Sequence, residues 1–250
     1  MSLAPKQSAA TIEFKNTFYR LDSGQTIIDN LNFSIMAGET LVLLGRSGSG
    51  KTTTLKLINS LHVPSSGRVI VEGKSTDNWN PIQLRRQIGY VIQEVGLFPH
   101  FTVEQNVGLV PTLNNWSPNR IRERVREMLE LVGLQSELFL QRFPDELSGG
   151  QRQRVGVARA LAADPAFLLM DEPFGALDPI TRNEIRKEFS QLQKRLKKTI
   201  VFVTHDVNEA FLLADRIGLM EKGKLVALAE AEEFRAIENP EVRAFLESSS

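Results

Sequence analysis

The sequence contains no cysteine. Disulfides and thiolate metal sites are therefore excluded, and the composition suits a reducing compartment. A net electrostatic field is missing too. Thirty basic residues balance thirty acidic ones, so bulk charge recruits neither nucleic acid nor an anionic membrane. No apolar run approaches the roughly 20 residues that span a bilayer, so any membrane role has to be peripheral or through a partner. The segment 1–10 is short, polar and small, without the apolar core of an export signal. Internal repeats and low-complexity segments are absent, and Ser248-Ser249-Ser250 reads as a frayed end. The remaining profile, 42% apolar and 24% charged, is that of a soluble globular protein able to bury a substantial core.

One stretch organises the chain: Gly45-Arg46-Ser47-Gly48-Ser49-Gly50-Lys51-Thr52-Thr53. The apolar residues 40–44 before it predict a buried strand, and Leu55 and Ile58 after it recur at helical spacing. Strand, glycine loop and helix in that order are the context of a phosphate-binding loop. The glycines let the backbone wrap an anion, the amides of 47–53 point inward, and the helix N-terminus adds to the field. Lys51 would place an ammonium on the terminal phosphates, and the Thr52 hydroxyl would ligate Mg²⁺. The pattern arises by chance in about one chain in a hundred of this length, and its flanks make a nucleoside triphosphate site the expectation.

Around it, 11–15 and 27–35 alternate apolar and polar residues as strands with one covered face. Further strands are expected at 68–72, 89–92, 167–170 and 199–203, with a hairpin turning at Lys222-Gly223. Helices are expected at 81–87, 118–131, 179–196 and 207–214. The segment 94–113, carrying Gly96, Pro99, Gly108 and Pro111, reads as loop and short helix. These alternating units predict an α/β fold with a parallel sheet, interrupted by a mostly helical insert at about 94–158. Ligands of such sheets lie beyond the carboxyl ends of the strands.

Several polar residues end strands at that edge. Asp171 follows a buried strand and could hold Mg²⁺ together with Thr52, while the adjacent Glu172 could orient or deprotonate water. His205 could bond the terminal phosphate or the attacking water, and the Gln93 amide could reach both metal and water. His62 and His100 carry no expected role. Ser148 can cap a helix from about 150 to 163, and Gly149, Gly150 and Gln151 open a second anion site at its start. One nucleotide is not easily wrapped by both sites of one fold, so a two-fold dimer closing each turn on the partner's nucleotide is the economical solution.

The set, taken in order, resembles the ATP-binding-cassette ATPases: the glycine loop, Gln93, Leu147-Ser148-Gly149-Gly150-Gln151, residues 167–172, Ala176-Leu177-Asp178 and His205. The likeness covers essentially the whole chain. It implies a single nucleotide-binding domain, 1–250, with a P-loop (RecA-like) α/β core, N-terminal antiparallel strands and the helical insert. It implies ATP and Mg²⁺ as ligands, with Gly45, Ser47, Gly48, Ser49, Gly50, Lys51, Thr52 and Thr53 on the phosphates and Thr52, Gln93 and Asp171 on the metal. Glu172 would be the catalytic base, His205 the switch histidine and Gln93 the sensing glutamine. Ser148 to Gln151 and Asp178 would lie at the dimer interface. The segment through Phe98-Pro99-His100 would dock a transmembrane permease, placing the protein peripherally on the cytoplasmic face of the cell membrane, with a substrate-binding protein engaged through the permease and no nucleic acid.

More narrowly, residues 84–100, Leu109-Val110-Pro111 and 171–182 are similar to the ATPases of osmoprotectant importers for glycine betaine, choline and related quaternary amines. The alternatives are a cassette ATPase serving lipids, amino acids or metals, and one outside transport. Two departures matter. Where members place an adenine-stacking aromatic, this sequence has Leu21, with Tyr19 two residues earlier on the same strand face, so either residue could meet the base. Many osmoprotectant ATPases also carry C-terminal CBS domains; the sequence ends at Ser250, and such regulation is not expected from it.

Overall fold

The computed structural model describes residues 10–248. Most of the segment read for an export signal, and Ser249 and Ser250 of the expected frayed end, lie outside the described residues. The N-terminal elements are β1 (Ala10–Arg20), β2 (Thr26–Met36), β3 (Thr40–Leu44), α1 (Lys51–Ile58), β4 (Ser66–Val71) and β5 (Lys74–Ser75). Then come α2 (Pro81–Arg86), β6 (Ile88–Val91), α3 (Val103–Leu113), α4 (Pro118–Leu131), α5 (Ser136–Phe139), α6 (Gly149–Leu161), β7 (Phe167–Asp171), α7 (Pro179–Leu196) and β8 (Thr199–Thr204). The chain closes with α8 (Val207–Leu213), β9 (Arg216–Glu221), β10 (Lys224–Glu230), α9 (Ala231–Phe234) and α10 (Pro240–Glu247). Two compact units result: Met1–Pro81 with His205–Ser250, and Ile82–Thr204.

In the first unit β2, β1, β4 and β5 form an antiparallel sheet in that spatial order. The sequence alternation that stops at Lys15 marks a bulge. Asn16 takes a positive φ of 45°, the register shifts, and β1 then continues to Arg20. The same unit holds β3 paired parallel to β9, and β9 antiparallel to β10. All five residues of β3 are buried, as the unbroken apolar run 40–44 requires.

The second unit is a parallel array, β6–β7–β8, with helices. β7 and β8 are buried throughout, and Phe174, Phe189 and Phe202 form an aromatic cluster with ring centroids 5.6–6.4 Å apart. The helices α3 to α6 of the expected insert all belong to this unit. One expectation changes: α3 runs 11 residues through Gly108 and Pro111 instead of forming loop and short helix. Gly108 is where α4 crosses closest, since a Cβ there would meet Ile121 Cγ2 at 2.9 Å. At the other end of the chain, Ser248 terminates α10 and its hydroxyl donates to the Phe245 carbonyl at 2.9 Å, so this first serine of the expected frayed end is tied down.

Candidate functional site

In the first unit β3 delivers the chain into the glycine loop, and α1 leaves it at Lys51. Gly50 precedes α1 in the left-handed region, φ 103°, and no side chain caps the helix. Its first-turn amides are thus left to the loop and to whatever the loop encloses. Only glycine fits at position 50: a Cβ would stand 2.8 Å from Ile28 Cδ1 and 3.1 Å from the Ile27 carbonyl oxygen. A Cβ at Gly45 would collide with the Met220 carbonyl oxygen of β9. Lys51 is buried, its ammonium donating to the carbonyls of Gly45 (2.8 Å) and Arg46 (2.9 Å), which closes the loop into a ring. Ser47 and Gly48 are exposed on the rim, whereas Ser49 lies beneath it and accepts the Gly223 amide of the β9–β10 turn at 3.0 Å. Thr52 and Thr53 are half-buried on the first turn of α1. A cavity of about 480 Å³ opens beside the rim, between the loop, the end of β9 and the α10 residues Ala244 and Phe245.

The adenine candidates part company here. Tyr19 lies within β1, but its ring stacks on His62 at 4.7 Å between centroids, and its hydroxyl shares a 3.2 Å hydrogen bond with His62 Nδ1. Leu21 lies beyond the end of β1, in a turn closed by its bonds to Gln25 and Gly24, and is 41% exposed. The two therefore do not share a strand face, because the strand has ended. His62, which sequence reasoning set aside, is the partner that fixes the Tyr19 ring. Burial first, and Lys56 second, hold its imidazole below the ordinary histidine pKa.

In the second unit Asp171 closes β7 at 7% exposure, and Glu172 follows with φ 43°. That left-handed turn, anchored by the Glu172 amide on the Val203 carbonyl (2.9 Å), separates the directions of two consecutive carboxylates. Glu172 Oε2 and Gln93 Nε2 both lie within 4 Å of where a Gly175 Cβ would stand, so the structure brings these two predicted residues to one spot. Tyr90 of β6 donates to Asp171 Oδ2 at 3.4 Å. Burial first, and then the Asp171 charge and this bond, raise its phenol pKa well above the ordinary value, so it stays a donor. His205 belongs instead to the first unit, where it is exposed and precedes Asp206, which caps α8 through the amides of Asn208 and Glu209.

Ser148 caps α6 through a reciprocal box. Its hydroxyl accepts the Gln151 amide at 3.2 Å, and the Gln151 side chain accepts the Ser148 amide at 2.9 Å. The hydroxyl is thus committed to its own helix. Asp178 does the same for α7, accepting from the amides of Ile180 and Thr181 at 3.2 and 3.1 Å; a bond with the Thr181 side chain first, and these amides after it, hold its carboxyl below the usual range. The two turns sit together: a Cβ on Gly149 would touch Leu177, and one on Gly150 would meet Thr181 Cγ2 at 2.8 Å.

Sequence reasoning missed the residues that hold these loops. Arg182 donates to the carbonyls of Phe174, Gly175 and Leu177 at 2.9–3.2 Å. Asn106, fully buried, accepts the Phe98 amide at 2.8 Å and donates to the carbonyls of Phe98, Phe101 and Thr102, each at 3.1 Å. Side chains gripping distant backbone leave no periodic signal. Among the described residues no group of three or more His, Cys, Asp or Glu could hold a metal. Thr52 in the first unit offers a hydroxyl, and Gln93 and Asp171 in the second offer an amide and a carboxylate. Each is an oxygen donor of the kind Mg²⁺ takes. No helix among the described residues is long and apolar enough to cross a membrane.

Known proteins resemble the chain over most of its length. The chain is 50% identical over 230 residues to the choline transport ATP-binding protein OpuBA of Bacillus subtilis (strain 168), covering 92% of this chain and 59% of that protein. It is 49% identical over 215 residues to the glycine betaine uptake system ATP-binding protein YehX of Escherichia coli (strain K12), covering 86% of this chain and 69% of that protein. The chain spans less than two thirds of the length of OpuBA and of other curated relatives it matches. A dimeric structure of the ATP-binding cassette MJ0796 in a post-hydrolysis state, bound to ADP and Pi, superposes with a TM-score of 0.77 at 33% identity, covering 88% of this chain and 98% of that one. Residues 28–175, which include the glycine loop, Gln93, the Ser148 turn and the two carboxylates, match the family described as ABC transporter, and the chain belongs to that family.

Proposed function

We propose that the chain is the ATP-hydrolysing subunit of a transporter, working on Mg-ATP as a pair of identical copies beneath a membrane permease. The observation that carries this reading is the glycine loop, ringed by Lys51 and led into an uncapped α1, which is built to take the phosphates of a nucleotide. Gly45 to Gly50 wrap those phosphates, Lys51 turns its ammonium to them, and Thr53 completes the first turn. Thr52, Asp171 and Gln93 would hold Mg²⁺, which would supply charge neutralisation at the phosphate oxygens. Glu172, turned away from Asp171 by its left-handed backbone, takes the proton of the attacking water. His205 bonds the terminal phosphate. The Ser148–Gln151 turn and Asp178 face the partner's nucleotide, and the relative MJ0796 forms a dimer bound to ADP and Pi. The Leu21 turn, with its exposed side chain, offers the adenine an apolar contact, since Tyr19 is engaged by His62.

The cargo class follows the relatives, one named for choline and one for glycine betaine, so quaternary amines are the proposed solutes and uptake the direction. A substrate-binding protein would deliver them to the permease on the far side of the membrane. The test is phosphate release with Mg-ATP. Glu172→Gln should lower turnover by roughly 10²–10⁴-fold while nucleotide still binds. Near-normal turnover in that variant would reject Glu172 as the base, and no turnover in the parent chain with its permease would reject the function.

A further inference from the structure

The backbone just after Gln93 holds an unfavourable shape. Val95, a β-branched residue, takes φ 53°, a conformation such residues rarely adopt, and Gly96 follows at 55°. The turn is tight, with the Val95 amide on the Ile92 carbonyl at 3.0 Å and the Gly96 amide on the Glu94 carbonyl. What holds it comes from α6. Arg159 donates from Nη2 to the Val95 carbonyl at 2.6 Å and from Nη1 to the Gly96 carbonyl at 2.7 Å. Three residues earlier on the same helix face, Gly156 leaves a notch filled by the valine, because a Cβ there would collide with Val95 Cγ1. Strained valine, forked guanidinium and glycine notch converge on one point, all within the second unit.

The two ends of this linkage are both chemical. Gln93 stands two residues before Val95, its amide beside Glu172. The Ser148 turn opens the helix on which Arg159 sits, ten residues or roughly 15 Å away along a rigid α-helix. We infer that Arg159 is a positioning residue that straps the Gln93 loop to α6, so that a shift of Gln93 turns the Ser148 end of the helix with it. This rests on the proposed function, in which Gln93 senses the metal and terminal phosphate and the Ser148 turn closes on a partner. Either end can move alone only by breaking two charge-assisted hydrogen bonds and emptying the notch. A lysine offers a single ammonium in place of the fork.

The experiment uses the full chain with Arg159→Ala, Arg159→Lys and Gly156→Ala, the first also combined with Gln93→Ala. Arg159→Ala and Gly156→Ala are expected to lower kcat for Mg-ATP roughly 3- to 30-fold with KM within about twofold, Arg159→Lys falling between. With Gln93 already alanine, removing Arg159 should cost no more. Hydrogen exchange supplies a readout independent of turnover: in a Glu172→Gln background, Mg-ATP should slow exchange at 148–152, and Arg159→Ala should abolish that response while nucleotide still binds. The strap is overturned if kcat is unchanged, if the Arg159 and Gln93 effects multiply independently, or if Mg-ATP still protects 148–152 without Arg159. A parent chain that neither binds nor hydrolyses ATP overturns the underlying function instead, and the strap with it.

Discussion

At the scale of single residues, side chains here substitute for secondary structure. Asn106, Arg159 and Arg182 each satisfy loop carbonyls: Asn106 and Arg159 hold the connection from β6 to α3, which carries Gln93 and Phe98, and Arg182 holds the one from β7 to α7, which ends at Asp178. Asn106 is the most demanding, because it is fully buried and binds one amide and three carbonyls. Truncating it strands those groups away from water, so Asn106→Ala should lose about 1–3 kcal/mol of unfolding free energy in urea titration. Retained stability would mean that water replaces the amide. His62 makes a pH prediction. Its folded-state pKa lies below 6.5, through burial and Lys56, so the folded protein binds the imidazole proton less tightly than the unfolded chain does. The associated stability is complete above 6.5 and is lost as pH falls through the lowered folded value. Thermal midpoints taken from pH 7.5 downward should fall less steeply for His62→Asn than for the parent; identical slopes would remove His62 from the explanation.

At the scale of elements, what the sequence made legible depended on whether the signal was local. The helices α4 and α7 match the ranges read from apolar periodicity and proline starts, and β3 matches the unbroken apolar run. Ser148 was readable as a cap from its place at the start of a predicted helix, and the structure adds the reciprocal box with Gln151 three residues on. The second half of β1 was hidden by the bulge at Asn16, and α3 by Gly108 and Pro111, the glycine standing where Ile121 of another helix crosses. The Tyr19–His62 pair joins residues 43 apart, and no window along the chain contains both. The glycine loop was legible in full as a motif, but why position 50 must be glycine was not. The structure supplies two reasons at once: a φ of 103°, and Ile28 within 2.8 Å of any added Cβ. Gly50→Ala should therefore displace the start of α1 and weaken ADP binding at least tenfold, about 1.4 kcal/mol, in a direct titration. Unchanged affinity would show that β2 yields at Ile28.

At the scale of the whole molecule, the decisive question is how many chains make one reaction centre. The first unit carries the phosphate loop, and the second carries the carboxylates together with a second helix start at Ser148. The Ser148 turn packs against the start of α7 and leaves its serine exposed, with the hydroxyl already bound to its own helix. An exposed, pre-ordered helix start is a surface on which a partner's anion can be received without further ordering cost. In the proposed two-fold pair each glycine loop would meet the Ser148 turn of the other copy. Mg-ATP should then convert Glu172→Gln from a species of 28.0 kDa to one of twice that mass in light scattering, and EDTA should reverse the change. Adding Ser148→Arg puts a long cation where the partner must approach, at an exposed position, and also removes the α6 cap at a cost of about 1 kcal/mol. That double variant should bind nucleotide with unchanged affinity and remain at 28.0 kDa. If Glu172→Gln stays monomeric at saturating Mg-ATP while the parent chain hydrolyses it at a rate strictly proportional to protein concentration, each chain holds a complete centre and the paired scheme is wrong.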